Sequence, residues 1–485
     1  MKLLKFSETD KNNLRLVYVF AKKRKVKLYL VGGLLRDLML ERNKENPDYD
    51  FCLERSAINF GRKLARELKA GFVVLDREHG ACRLVKKAKD KVYTLDFTDF
   101  RGKNLEEDLR HRDFTINAMA LELEVIFKNR QVEPFLIDPF GGRQDLKIKL
   151  IKAPFKKVFV EDPLRILRAF SFSVLFGFKI DKETLKCAVQ AKQKLALVSG
   201  ERIRDELFKI FDSLLAYASF RKLDELKILK IIFPEIEKMR GVKQGPYHHL
   251  DIWKHTLETM RQLEALFLEL KRHRDIQDYL DEVISSERRR KGLMKLGAFL
   301  HDIGKPDCLR RKDGKIMFHG HERKGADISR NIIRRLRLSN DEMDALQRMV
   351  FWHLRPGYLG DQEEVTPRAV FRYFRDTGSE AVSTLLLSIA DQRSTRGRLT
   401  TKESRVQHER IAFGLIKEYF RRKKKKPLVR LINGHDLIRH FRLEPSPLIG
   451  KILSQIEELQ AIGRIKNKRQ AMAAAAKMVL EESAR

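Results

Sequence analysis

Along this chain the spacing of apolar residues changes once. Between about residues 28 and 140, short apolar runs bounded by glycine, proline and aspartate follow one another, whereas beyond about 155 apolar residues recur every three or four positions. The first pattern predicts strands and the second predicts helices. The expected architecture is therefore multidomain, with an α/β head at 1–150 and an all-α remainder: a neck at 151–240, a His-rich body at 241–400 and a C-terminal arm at 401–485. Segments 161–176 and 201–214 read as amphipathic neck helices, and the break at Gly241–Tyr247, with Gly245-Pro246 inside it, marks the start of the body. The basic run from Arg421 to Lys426, closed by Pro427, precedes a last helical module of about 60 residues. No internal repeat or low-complexity linker is visible.

Composition narrows the class. At 485 residues there is length for two to four domains. The 101 Lys and Arg against 67 Asp and Glu leave a formal charge of +34, an excess that points to a polyanionic partner such as nucleic acid. No apolar run approaches the roughly 18 residues that cross a bilayer, and Met1-Lys2-Leu3-Leu4-Lys5 lacks a signal-peptide core, so a cytoplasmic protein without membrane association is expected. Cys52, Cys82, Cys187 and Cys308 fit no zinc spacing and read as free, buried thiols.

The sharpest chemistry lies near the N-terminus. Residues 28–31 read as a strand, Gly32-Gly33 as a tight turn and 34–40 as a helix start, so backbone N–H groups converge where a triphosphate could sit. Asp48 and Asp50 follow in a second strand, where period two puts both carboxylates on one face. Such a pair repels itself unless cations intervene, and Mg²⁺ ions there would activate an attacking hydroxyl and stabilise leaving pyrophosphate. Asp96, in the strand-like run 92–97, is a natural third ligand.

Further on, Asp162 and Arg165 stand three apart on a predicted helix and share a face. A carboxylate that accepts from an exocyclic amine, beside a guanidinium that donates to a ring nitrogen, takes cytosine and adenine and rejects uracil and guanine. Arg36, Arg112 and Arg168 could then hold phosphate or sugar oxygens, and Asp113 and Asn117 could reach the ribose hydroxyls.

Taken in order, these motifs, from Leu30-Val31-Gly32-Gly33 through Arg112-Asp113-Phe114-Thr115-Ile116-Asn117 and Glu161-Asp162-Pro163-Leu164-Arg165 to Glu201-Arg202-Ile203-Arg204-Asp205-Glu206-Leu207, resemble the class II tRNA nucleotidyltransferases, that is, the CCA-adding enzymes and the related bacterial poly(A) polymerases. The resemblance covers residues 25–215. It implies template-independent extension of tRNA 3′ ends from CTP and ATP, with Asp48 and Asp50 as metal ligands and Gly33, Arg36, Arg112, Asp113, Asp162, Arg165 and Arg168 as nucleotide contacts. Three departures stand out. Ser171 replaces a further family arginine, His111 replaces the first arginine of an Arg-Arg-Asp run, and only Gly102-Lys103-Asn104 fill a connection that is longer in enzymes adding all of CCA. The shortened form is similar to enzymes that add only CC.

A second centre is written in histidines. His255, the adjacent His301-Asp302 pair expected on one helix, and Asp391 make a mixed nitrogen and oxygen set for a divalent metal. The pattern resembles an HD-type phosphohydrolase domain, which implies these four as ligands of a divalent transition metal, with His319, His321 and His353 in a second-metal or substrate role. His435-Asp436 repeats the dipeptide without partners and reads as a decoy. Two rivals remain: a poly(A) polymerase with the same core, and a phosphohydrolase whose head only binds RNA.

Overall fold

A computed structural model describes residue 4 and residues 6–42, 48–88, 91–360, 364–424 and 429–483, so part of the basic run, residues 425–427, lies outside the described residues. The chain divides into two compact units, residues 1–198 and 199–485.

The first unit is built on a six-stranded mixed sheet. Helix α1 (Glu8–Lys23) leads into β1 (Tyr29–Val31), α2 (Gly33–Met39), β2 (Asp48–Leu53), α3 (Ala57–Leu68), β3 (Gly71–Asp76), β4 (Ala81–Ala88), β5 (Lys91–Asp99), α4 (Leu105–Arg110) and β6 (Ala120–Glu122). The spatial order is β3-β4-β5-β2-β1-β6, with β2 and β5 parallel and the other neighbours antiparallel. Alternation along each strand gives the sheet two unlike faces. Tyr49, Phe51, Leu84, Leu95 and Phe97 are buried on the side of Phe60 and Leu64 of α3. Phe51 stacks on Phe97 at 4.9 Å, and Phe60 tilts against Phe97 at 5.3 Å. Each such ring contributes about 2 kcal/mol by leaving water. On the other face Val31, Cys52 and Ala120 pack under Leu109 of α4, but the β3-β4-β5 end stays open, with Val73 53% and Val92 40% exposed. Asp48 and Asp50 sit at the border between the covered and the open halves.

The neck segment expected as one helix over 161–176 is two. A short helix, Val158–Glu161, stops at Asp162, which is extended (φ −140°, ψ 100°), and a new helix runs Arg165–Phe176. Pro163 explains the break, since its ring disfavours helical geometry at the residue before it and it has no N–H to donate. The helical remainder also contains short strand pairs, at 150–151 with 179–180, at 283–285 with 288–289, and at 310–312 with 315–317.

In the second unit the helices Ile252–Glu269, Arg290–Leu300, Asn340–Trp352 and Ala381–Ser394 form the packed body, and Lys402–Lys423 lies along Ala381–Ser394. The last three helices, Gly434–Phe441, Pro447–Ala461 and Lys468–Ser483, gather around their own cluster of Leu437, Ile449, Ile452 and Ile456. Asp436 closes a capping box with Asn433, which gives the second His-Asp dipeptide a structural role. Cys52 and Cys82 are buried, whereas Cys187 and Cys308 are only partly so; all four are free. Among the described residues, no helix is long and apolar enough to cross a membrane.

Candidate active site and candidate metal centre

Register places the head carboxylates. Asp50 of β2 lies opposite Asp96 of β5 and Val31 of β1, and Asp48 lies opposite Thr94, whose hydroxyl donates to it at 2.5 Å. Just past Val31 the chain turns at Gly32 with φ +76°, and a Cβ there would stand 2.9 Å from Asp50 Oδ2 and 3.5 Å from Arg112. Only glycine brings the backbone this close to the carboxylate. No described residue donates a hydrogen bond to the Asp50 carboxylate. Burial pushes its carboxyl up to about 6, with Asp96 and Asp48 adding to the rise and Arg112 opposing it. Two neighbouring carboxylates, one of them buried without a hydrogen-bond donor to its side chain, suit a hard cation such as Mg²⁺. Asp96 is differently placed: both its oxygens accept from the fork of Arg83, at 2.8 and 2.7 Å.

Beside this pair runs a chain of polar contacts joining head and neck segments of the first unit. Arg36 donates to Asn117 at 2.7 Å and to Asp37 at 2.9 Å, Asn117 donates to Asp113 at 2.9 Å, and Arg168 grips Asp113 at 3.0 and 2.7 Å. Arg168 and Asn117 hold the Asp113 carboxyl down at about 2 despite its burial. Arg112 donates to Asp108 at 3.1 Å and leaves its buried Nε without a partner. Arg165 is buried and donates to the carbonyls of His111 at 2.7 Å and Val158 at 3.2 Å. Asp162 and Arg165 thus flank a helix break and do not share a helical face. Ser171 bonds the Arg168 carbonyl, and His111 contacts Glu161 at 2.8 Å.

In the second unit six side chains converge, forming two groups: His255, His301 and Asp391, then Asp302, His321 and His353. His301 and Asp302 do not lie on one helix; they form the turn just past Arg290–Leu300, while His321 opens and His353 closes neighbouring helices. That turn packs so tightly that a Cβ on Gly304 would stand 2.3 Å from the His321 carbonyl oxygen. Asp302 joins the groups, with Oδ2 at 3.2 Å from His301 and 3.5 Å from His255, and Oδ1 at 3.5 Å from His321 and 3.7 Å from His353. Asp391 lies 2.8 Å from His255 Nε2 without hydrogen-bond geometry.

The Nδ1 atoms of His301, His321 and His353 contact backbone carbonyls at 2.8, 2.8 and 2.6 Å, which turns each Nε2 toward the centre. Buried and unpartnered there are His255 Nε2, His301 Nε2, Asp302 Oδ1 and Asp391 Oδ1. Four orphaned donor atoms around one point fit a metal, and the mixed imidazole and carboxylate set fits a divalent transition metal. Exposed His319 is not among the six.

Some groups have no counterpart in the sequence reading. Arg83 could have been found from the alternation of 81–88, and Lys305, which donates to Asp302 at 2.6 Å and to Gln244 at 2.7 Å, from its spacing three beyond Asp302. His248, its ring edge-on to His255 with centroids 4.8 Å apart, had no local signal.

Residues 28–152 match a poly(A) polymerase head domain, 177–239 an RNA and SrmB-binding site of polymerase A, 252–395 an HD domain and 324–476 a tRNA nucleotidyltransferase domain 2. The A-adding tRNA nucleotidyltransferase of Deinococcus radiodurans is 29% identical over 92% of this chain and 94% of its own length. The CC-adding tRNA nucleotidyltransferase of Thermus thermophilus is 28% identical over 91% and 92%. A solved CCA-adding enzyme of Thermotoga maritima, in complex with tRNA, shares the fold with TM-score 0.63 at 23% identity, covering 99% of this chain and 100% of that one.

Proposed function

We propose that the chain, whose segments match a poly(A) polymerase head domain, a tRNA nucleotidyltransferase domain and an HD domain, is a tRNA nucleotidyltransferase that extends tRNA 3′ ends with nucleotides from CTP or ATP, releasing pyrophosphate. The observation that carries this reading is the Asp48 and Asp50 pair against Gly32 and Arg112, on a sheet face open on one side. Asp48 and Asp50 would hold Mg²⁺, which when bound offsets charge on the reacting phosphates and favours ionisation of the attacking hydroxyl. The tRNA 3′-oxygen then bonds to the α-phosphorus while the bond to the pyrophosphate oxygen breaks. Arg112, fixed by Asp108, faces the triphosphate. The network through Asp113, Asn117 and Arg168 sets the floor on which the ribose lies, and Asp162, near Arg165, reads the base edge.

Which base is added turns on whether the pocket can change. Residues 100–104 connect β5 to α4 and are pinned: Arg101 N–H donates to Asp108 at 3.2 Å, Lys103 N–H to Glu107 at 2.7 Å, and Asn104 caps the helix at 2.9 Å. A connection so tied has no slack with which to reshape the pocket from cytosine to adenine, so the product is CC. The A-adding relative favours one alternative consistent with the same fixed pocket, a single A placed on tRNA ending in CC. Supplying each NTP singly to tRNA ending before CCA, after C and after CC distinguishes them.

The six-residue centre supports a second, metal-dependent phosphohydrolase activity in which a bound divalent metal supplies Lewis acidity. His255, His301 and Asp391 would hold one ion, Asp302, His321 and His353 another. A nucleoside triphosphate and tRNA as substrates make the cytoplasm the proposed location. The basic surface tracks RNA phosphates without reading sequence.

A further inference from the structure

The open half of the head sheet is unused by the reaction as described so far. Because strand partners share a face, the face that carries Asp48 and Asp50 continues through Val92, Thr94 and Asp96 of β5, then Arg83, Val85 and Lys87 of β4, and on to Val73 of β3. At a strand spacing of roughly 4.8 Å, this strip reaches about 14 Å from the catalytic strand.

Its character is unusual for a solvent-facing sheet. Val73 and Val92 are 53% and 40% exposed, and Lys87 is exposed, while their neighbours on the opposite face, Leu84, Leu95 and Phe97, are buried. The Asp96 charge is occupied by Arg83, so beyond the catalytic pair the described charges of this strip are Arg83, Lys87 and that one neutralised carboxylate. On the other side of Asp50 the same face is closed by Val31, Ala120 and Leu109. A 3′-hydroxyl that must reach Asp48 and Asp50 along this face therefore has the open strip as its approach.

We infer that the strip formed by Val73, Val85, Val92, Arg83 and Lys87 is the docking platform for the terminal nucleotides of the RNA being extended. Its valines meet ribose and base faces, and Lys87 meets a phosphate while Arg83 stays paired with Asp96. Arg83, held by Asp96, is a positioning residue in this scheme. The inference rests on the nucleotidyltransferase reading and assigns the side from which its polymeric substrate enters.

The test uses the full chain and a tRNA transcript lacking CCA, at one fixed salt concentration. Lys87→Glu and Val92→Glu should each raise the tRNA KM and the tRNA Kd roughly tenfold and leave the KM for CTP within about twofold. Lys86→Glu makes the same charge change one residue away, but Lys86 pairs with Tyr93 and belongs to the opposite face. It should shift tRNA binding by less than about threefold. Equal effects of Lys86→Glu and Lys87→Glu would reduce the strip to general basicity and overturn the inference, as would unchanged tRNA binding or a loss confined to CTP. A wild-type chain that added no nucleotide would instead sink the functional reading, and the platform would still be judged by the tRNA Kd of the same variants.

Discussion

Asp50→Asn should stabilise the metal-free protein while destroying its activity. In the folded chain burial, Asp96 and Asp48 raise the Asp50 carboxyl from the ordinary 3.8 to about 6. Folded Asp50 thus keeps its proton to higher pH than unfolded Asp50 does. Between about pH 4 and 6 the folded state carries the extra proton, so stability falls as pH rises through that window. At about 1.4 kcal/mol per tenfold change in proton affinity, the ionised carboxylate costs the metal-free fold about 3 kcal/mol above pH 7. Asparagine has nearly the same shape and no charge. At pH 7.5 in EDTA the variant should melt roughly 6 to 12 °C above wild type, given about 2–4 °C per kcal/mol for a unit of this size. The gap should shrink toward zero at pH 4. Mg²⁺ should close it at pH 7.5 by raising wild type alone, since a ligand held by the folded state stabilises by RT ln(1 + [L]/Kd). Calorimetry across these conditions checks all three statements. A variant that melts below wild type at pH 7.5, or a gap equal at both pH values, would refute the claim that uncompensated charge is stored at Asp50.

Other perturbations separate the remaining roles. Gly32→Ala places a Cβ 2.9 Å from Asp50 Oδ2 at φ +76°, so kcat should fall roughly tenfold or more with the fold intact, as seen by an unchanged calorimetric enthalpy. Arg165→Ala removes the donor to two backbone carbonyls and should lower stability by about 2–4 kcal/mol in denaturant titration. Asp162→Asn should instead relax rejection of UTP and GTP with stability within about 1 kcal/mol of wild type; unchanged selectivity would return Asp162 to a purely local role. Asp302→Ala should eliminate metal-stimulated phosphohydrolase activity, and elemental analysis should show the ions held by both histidine groups lost together, because Asp302 joins them. Nucleotide addition by that variant should persist, and its loss would contradict separate centres.

The head was legible because its chemistry is local. A glycine turn, two carboxylates at period two and a third strand fix which groups meet, and strand pairing then has little freedom. Helical spacing puts Asp162 and Arg165 on one face only if the helix runs through Pro163, and Pro163 breaks it between them. The sequence predicts a helix through His301 and Asp302, but the helix ends at Leu300 and Gly304 lets the chain turn tightly there. Asp96 reads from the sequence as a third ligand; its engagement by Arg83 depends on which residue of β4 falls opposite, and that register is set by the whole sheet. His248 reaches His255 through a loop with no periodic signal. The histidines were recognisable as a set, but their division about the two oxygens of Asp302 emerges only from the packing of separate helices.

The most direct measurement incubates purified wild type and Asp48→Ala with tRNA transcripts ending before CCA, after C and after CC, each with CTP alone and ATP alone. The account predicts that wild type adds two C residues to the first transcript and one to the second, and that it adds nothing to the third with ATP. The variant should add nothing while binding tRNA within about twofold of wild type. Efficient addition of A to the third transcript would contradict the CC assignment, and incorporation by Asp48→Ala at a rate near wild type would contradict the catalytic account itself.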